Sequence, residues 1–123
     1  MRSVGRLALE SRDRKSLESM LREKRRQLVE DHERCLASLR DPVSVDFDNG
    51  DVAELEYRTE AALMVDYLSR EIRAIDDALA RLARSEYGVC ICCHHRIPRS
   101  RLLAQPTATR CYRCQALTDR KAG

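Results

Sequence analysis

Five of the chain's six cysteines lie in one short segment, GVCICCHHRIPRSRLLAQPTATRCYRCQ (88–115). Four of them form two pairs with the spacing C-x-x-C, Cys90 with Cys93 and Cys111 with Cys114. A C-x-x-C turn brings two thiolates onto one ion, and two such turns complete a tetrahedral site. Because four thiolates leave no open coordination position for water, the spacing predicts a structural zinc ion rather than a catalytic one.

Other groups in the same segment compete as ligands. Cys92 lies inside the first pair and should point away from an ion that its neighbours hold. His94 and His95 follow this pair directly, and either imidazole could replace one thiolate. A redox-active C-x-x-C needs a strand–turn–helix setting that the flanking sequence lacks, and a disulfide needs an exported protein. A four-cysteine zinc site is therefore the main interpretation, and its alternative is a site in which one histidine replaces a cysteine.

The composition predicts which kind of element positions this cluster. Charged residues make up 35% of the 123 residues, aromatic residues make up 4%, and tryptophan is absent. Such a chain suits long helices that bury only a narrow apolar seam. The first residues, MRSVGRLALESRDRK, contain no apolar run long enough for a signal peptide or a membrane span. We therefore expect a cytoplasmic protein without a membrane partner.

Two helices are predicted before the cysteines. The first covers about Ser11 to Leu39, a stretch without Gly or Pro, and Lys24 and Asp31 interrupt its apolar seam. The second covers about Ala53 to Ser85 and has an unbroken seam with alternating spacings of four and three residues. The first seam is Leu17, Leu21, Leu28, Cys35 and Leu39, and the second is Ala61, Val65, Leu68, Ile72, Ile75, Leu79 and Leu82.

The segment between the helices carries signals for a turn. Asp41 precedes a proline, which disfavours helical backbone and ends the first helix. Asn49-Gly50 is a turn dipeptide, and Asp51 after it suits the N-cap of the second helix. Two helices of similar length joined by a short loop run antiparallel, each burying its seam against the other.

The predicted organisation is thus an N-terminal segment (1–10), a coiled-coil hairpin (11–86) and a zinc-finger module (87–123). The tip of the hairpin, at about 41–53, is acidic, because residues 41–60 carry seven Asp or Glu and one Arg. The finger is basic, with seven Lys or Arg and one Asp. Charge is therefore strongly segregated along the chain.

The cysteine segment also resembles a known family. The matching residues are Gly88, Cys90, Cys93, Ile97, Pro98, Arg101, Leu102, Ala104, Pro106, Ala108, Cys111, Cys114 and Gln115. In order and spacing they are similar to the zinc finger of the DksA/TraR family, bacterial transcription factors that bind RNA polymerase directly. His94 is a departure, since the family usually has glycine there. The resemblance implies a mainly α fold, with a long antiparallel coiled-coil hairpin, a small four-cysteine zinc finger and a short C-terminal helix.

The resemblance also implies a function and a second site. Family members insert the coiled coil into the secondary channel of RNA polymerase, and their tip carries the motif D-x-x-D-x-A. Asp48, Asp51 and Ala53 reproduce this motif, while Asp41 and Asp46 are rival tip acids. The implied protein is a monomeric, non-enzymatic regulator of transcription initiation with zinc as its cofactor. Guanosine tetraphosphate is a candidate ligand at the polymerase interface, and no sequence-specific DNA binding is expected.

Two other classes of protein compete with this interpretation. The basic finger favours a zinc-finger nucleic-acid-binding protein, although Tyr87 and Tyr112 are its only aromatic residues and no recognition-helix pattern is present. A plain coiled-coil adaptor would pair its seam with a second chain, whereas the Asn49-Gly50 turn favours pairing within one chain. No convincing catalytic group is found, because His32 lies among acidic residues on the first helix and is expected to be solvated.

Overall fold

The chain is described by a computed structural model that covers residues 11–40 and 51–122, except for the side chains of Asp51 and Ala122. These residues form four helices, and their only β feature is an isolated antiparallel bridge between Val89 and Arg96. The helices are α1 (Ser11–Arg40), α2 (Asp51–Ala83), α3 (Arg99–Ala104) and α4 (Tyr112–Ala122). The predicted mainly α fold is confirmed.

The two long helices follow from their composition. Their residues are mostly good helix formers, and α1 has 30 residues and α2 has 33. Ion pairs one turn apart lie on their exposed sides, such as Arg26 with Glu30 at 2.7 Å and Arg70 with Asp66 at 3.5 Å. These pairs leave the apolar seam as the part of each helix that can be buried.

The C-terminal end of α2 has a specific hydrogen-bonded form. The Glu86 N–H donates to the Arg81 carbonyl at 2.8 Å, and the Ser85 N–H donates to the Leu82 carbonyl at 3.2 Å. Ser85 has φ 60°, so these contacts make a Schellman motif with serine at the left-handed position that glycine usually takes. This motif ends α2 at Ala83, two residues before the end predicted from the sequence.

The described residues divide into two compact units, and the first contains 11–23 together with 74–122. Its helical part has a buried apolar core of Leu17, Leu21, Ile75, Ala78 and Leu82. The guanidinium of Arg14 on α1 donates to the Leu82 carbonyl on α2 at 2.9 Å. The start of α1 is therefore paired with the end of α2, as an antiparallel hairpin requires.

The second unit contains residues 24–73. Leu68 is buried there, with 4% of its surface exposed, whereas Ala61, Val65 and Ile72 are half-buried. The seam in this unit is thus narrow and partly open to solvent. A polar contact crosses it, since Nε2 of His32 lies 2.9 Å from Oγ of Ser69. The expectation of a solvated His32 is wrong, because this half-buried ring has a partner on the other helix.

None of the four helices is long and apolar enough to cross a membrane.

Candidate metal centre

The first cysteine pair lies in a short hairpin of backbone. The Cys90 N–H donates to the His95 carbonyl at 2.8 Å, and the Ile97 N–H donates to the Gly88 carbonyl at 2.8 Å. Gly88 is buried with φ 85°, a conformation that glycine adopts without steric cost. These contacts fold 88–97 back on itself and hold Cys90 and Cys93 in one turn.

The second cysteine pair belongs to the start of α4. Cys111 immediately precedes the helix, and Cys114 lies in its first turn. The Gln115 N–H donates to the Cys111 carbonyl at 2.9 Å, so Cys111 occupies the capping position. The Ile91 N–H donates to the Thr109 carbonyl at 2.9 Å, which joins the first turn to the residues just before the second.

The four thiols converge as one zinc ion would require. The sulfur atoms of Cys90, Cys93, Cys111 and Cys114 all lie within 4.8 Å of one another, and those of Cys93 and Cys111 are 3.8 Å apart. Tetrahedral zinc with Zn–S bonds of about 2.3 Å places its sulfurs about 3.8 Å apart. Both the donor set and its dimensions fit zinc, and the predicted zinc cofactor is confirmed.

The competing ligands lie outside this cluster. Cys92, His94 and His95 are all exposed and do not join the four thiols. The His94 N–H donates to the Cys90 carbonyl at 3.0 Å, and the residue has φ 61°. His94 therefore lies where the turn needs a residue in the left-handed conformation. Glycine adopts this conformation without steric cost, which explains why the similar zinc fingers usually have glycine at this position.

The electrostatics of the cluster favour a cation. Burial opposes ionisation of the Cys90 thiol, but N–H donors from Cys93, Cys111 and Cys92 outweigh it and lower the pKa of Cys90 to about 5. The hydrogen bond with the Cys111 side chain, together with burial, raises the pKa of Cys114 well above its ordinary value. Neighbouring thiolates repel one another, so the cluster ionises only in part without a metal. A bound zinc ion would allow all four to ionise, and its affinity should therefore fall at acidic pH.

A small core supports the metal centre. Ile97 and Leu102 are fully buried in this module, and the phenol of Tyr87 donates to the Pro106 carbonyl at 2.6 Å. Burial raises the pKa of Tyr87 to about 12, which the positive charge of Arg81 only partly opposes. With so few buried apolar residues, the module depends on its metal for much of its stability.

Arginine contacts join this module to the helices of its own unit. Arg81 on α2 donates to the carbonyl of Val89 at 2.7 Å and to that of Glu86 at 3.3 Å. Arg99 on α3 forms an ion pair with Asp13 on α1 at 3.1 Å. Sequence reasoning missed both contacts, because it treated Arg99 only as part of the finger's positive charge and gave Arg81 on α2 no role.

The predicted tip residues are described only in part. Asp48 lies outside the described residues, as do the rival acids Asp41 and Asp46. Asp51 is the first residue of α2, although its side chain is not described, and Ala53 is exposed on the first turn. The assignment of the tip motif stays a prediction.

A helical hairpin followed by a four-cysteine centre defines a class of zinc-finger proteins. Residues 85–120 match the family described as the prokaryotic dksA/traR C4-type zinc finger. The structure of transcription factor DksA2 from Pseudomonas aeruginosa superposes with a TM-score of 0.80 and 28% identity, covering 92% of this chain and 88% of that one. The zinc finger of this chain therefore belongs to the dksA/traR family, and the structural likeness supports the same family for the chain as a whole.

Two curated relatives agree with this assignment. An uncharacterized protein of Aquifex aeolicus is 32% identical over 77 residues, which are 59% of this chain. The RNA polymerase-binding transcription factor DksA of Haemophilus influenzae is 33% identical over 96 residues, or 76% of this chain. The matched regions span 51% and 65% of these two relatives, respectively.

Proposed function

We propose that this protein is a transcription regulator that binds RNA polymerase directly, with the tip of its hairpin in the secondary channel. The observation that carries this proposal is the structural likeness to transcription factor DksA2, which extends over 92% of the chain and so includes both the helices and the finger. A relative at 33% identity is named for binding RNA polymerase. Such a regulator would act in the bacterial cytoplasm, where the polymerase is found.

Zinc would have a structural role in this function. We assign Cys90, Cys93, Cys111 and Cys114 as the four ligands of one ion, because their sulfurs lie within 4.8 Å of one another. A closed shell of four thiolates offers no position for a substrate or a reactive water. The proposed protein therefore changes the reaction of its partner and carries out no chemistry of its own.

The tip would act on the polymerase through charge. Asp48 and Asp51 lie within a stretch of seven acids and one arginine, residues 41–60. Carboxylates brought near a catalytic magnesium ion change the electrostatics of its ligands and water. In this mechanism the tip acids alter the lifetime of initiation complexes. Guanosine tetraphosphate is the proposed small-molecule ligand at the interface between this protein and the polymerase.

The alternative of a nucleic-acid-binding finger rests on its seven basic residues. The structure shows that at least two of these side chains are engaged within the protein. Arg99 pairs with Asp13, and Arg101 donates to the Arg110 carbonyl at 2.7 Å while lying 4.8 Å from the ring centre of Tyr112. Part of the positive charge thus supports the fold, so we favour the polymerase as the partner.

The proposal is tested by transcription with purified polymerase and two tip variants, Asp48→Asn and Asp51→Asn. Asparagine is nearly isosteric with aspartate and is tolerated equally well at a helix start such as that of α2 at Asp51, so both variants should keep wild-type helicity and bind the polymerase. Their effect on promoter-complex lifetime should shift towards that seen without the protein. Glu33→Gln removes an exposed carboxylate from α1 and is the matched control. Wild-type regulation by both tip variants would contradict the assigned role of these acids.

A further inference from the structure

The outer side of α2 carries an exposed apolar stripe, which we define as Val52, Leu55, Leu63 and Tyr67. The exposed fractions of these side chains are 67%, 63%, 65% and 49%, respectively. Leu55, Leu63 and Tyr67 follow Val52 by about one, three and four helical turns, so all four lie on one face. Thr59, one turn before Leu63, continues the same line and is also exposed.

This stripe is distinct from the seam of the hairpin. Ala61 follows Val52 by nine residues, which is two and a half turns and places it on the opposite face of α2. Ala61 and Val65 are half-buried and Leu68 is buried, as expected for residues that pack against α1. Helix α2 is thus apolar on two opposite faces, and pairing with α1 accounts for only one of them.

The neighbouring stretch of α1 shows no such second face. In residues 24–40, which belong to the same compact unit, every large aliphatic side chain is at least half-buried. These side chains are Leu28, Val29, Leu36 and Leu39. Among residues 24–40 and 51–73, the exposed large apolar side chains therefore all lie on α2, and Tyr57 and Met64 are the two outside the stripe. Exposed apolar patches of this kind mark interaction surfaces.

The charges around the stripe indicate the chemistry of its partner. Glu56 and Glu60 are exposed between its members, and the first stripe residue directly follows the tip acid Asp51. A complementary surface would be apolar with Lys or Arg along its edge. We infer that the stripe is the face of the hairpin that docks on RNA polymerase beside the tip, against such a surface. This inference rests on the proposed function and adds which side of the hairpin faces the partner.

The experiment measures the affinity of full-length variants for purified RNA polymerase. Leu55→Gln/Leu63→Gln removes the apolar contacts, and we expect the dissociation constant to rise about tenfold or more. Both leucines are exposed and glutamine is a good helix former, so helicity and thermal midpoint should stay at their wild-type values. Leu55→Met/Leu63→Met should bind as the wild type does. Ala37→Gln on an exposed position of α1 is the matched control and should also bind normally.

The charge requirement is tested separately. Glu56→Gln/Glu60→Gln should slow association with the polymerase, and the difference from wild type should shrink as salt concentration rises. An unchanged association rate at low salt would contradict the basic edge assigned to the partner.

Comparing polymerase binding by the wild type and by Leu55→Gln/Leu63→Gln distinguishes failure of this inference from failure of the proposed function. If the wild type binds the polymerase and Leu55→Gln/Leu63→Gln binds equally well, the docking face is wrong and the proposed function stands. If the wild type itself does not bind, both fail. Sedimentation analysis tests whether the stripe instead binds a second copy of the chain. If the wild type is a dimer and Leu55→Gln/Leu63→Gln is a monomer, the stripe is a dimer interface and the inference is wrong.

Discussion

The phenol of Tyr87 donates a hydrogen bond to the Pro106 carbonyl at 2.6 Å, across a buried part of the finger. Tyr87 stands three residues before the first zinc-binding cysteine, and Pro106 stands five residues before the third. One hydrogen bond thus joins the chain that enters the first cysteine turn to the chain that approaches the second. It therefore adds to the metal a second link between the two parts of the chain that carry the ligands.

Removing this hydrogen bond should weaken the finger. Tyr87→Phe leaves the buried Pro106 carbonyl without its donor, which should lower the free energy of unfolding by about 1–3 kcal/mol. Chemical denaturation of the zinc-loaded protein measures the loss. Tyr57→Phe changes an exposed tyrosine and should have no effect. The wild-type contribution should also depend on pH, because burial raises the pKa of Tyr87 from 10.0 to about 12.

Since the folded state favours the neutral phenol, this stability is fully present below pH 10 and is lost as pH rises towards 12. The stability difference between wild type and Tyr87→Phe should therefore shrink above pH 10. A difference that stays constant up to pH 12 would contradict burial as the cause.

Glycine at position 94 should stabilise the finger. His94 has φ 61°, a left-handed conformation that costs a residue with a side chain roughly 1 kcal/mol and costs glycine little. His94→Gly should therefore raise the free energy of unfolding by about 1 kcal/mol without changing the zinc content. His95→Gly is the matched control, since His95 has no positive φ, and it should give no gain. Loss of zinc from His94→Gly would instead make His94 a ligand.

Zinc content should distinguish the assigned ligands from their neighbour. Cys114→Ser removes one of the four converging sulfurs, so we expect loss of bound zinc and of finger stability. Cys92 is exposed and outside the cluster, and Cys92→Ser should keep one zinc per chain. Elemental analysis and thermal denaturation of the two variants provide the measurement. Equal zinc loss in both would overturn the ligand assignment.

The hairpin should tolerate a charge on one face of α2 and not on the other. Leu68 is 4% exposed and Leu63, five residues earlier, is 65% exposed. Leu68→Asp buries an unpaired carboxylate in the seam and should lower the free energy of unfolding by several kcal/mol, on the order of the cost of burying an unsatisfied charge. Leu63→Asp should change it by less than about 1 kcal/mol. Thermal melts followed by circular dichroism decide the matter, and equal melts would contradict the assigned seam.

The features that could be predicted from the sequence are those with local patterns. The two C-x-x-C pairs converge because each is a four-residue turn, and the seam of α2 follows from a spacing maintained over six turns. Contacts between residues far apart in the chain have no local sequence pattern from which they could be predicted. Arg14 with Leu82 and His32 with Ser69 are separated by 68 and 37 residues, and nothing near either member indicates its partner. Their pairing depends on the register of the two helices, which composition alone does not determine.

The discontinuous unit built from residues 11–23 and 74–122 has a consequence for the length of the hairpin. Its two parts meet only after the chain from 24 to 73 has closed a loop, and the entropy of closure grows slowly with loop length. Doubling that loop costs about 0.6 kcal/mol, which is small against the stability of a typical domain. We therefore expect the seam and the finger with its supporting helices to survive insertion or deletion of one heptad in each helix. The fold of the zinc-bearing unit does not set the length of the hairpin, so that length is left to be set by the depth at which the tip must meet its partner.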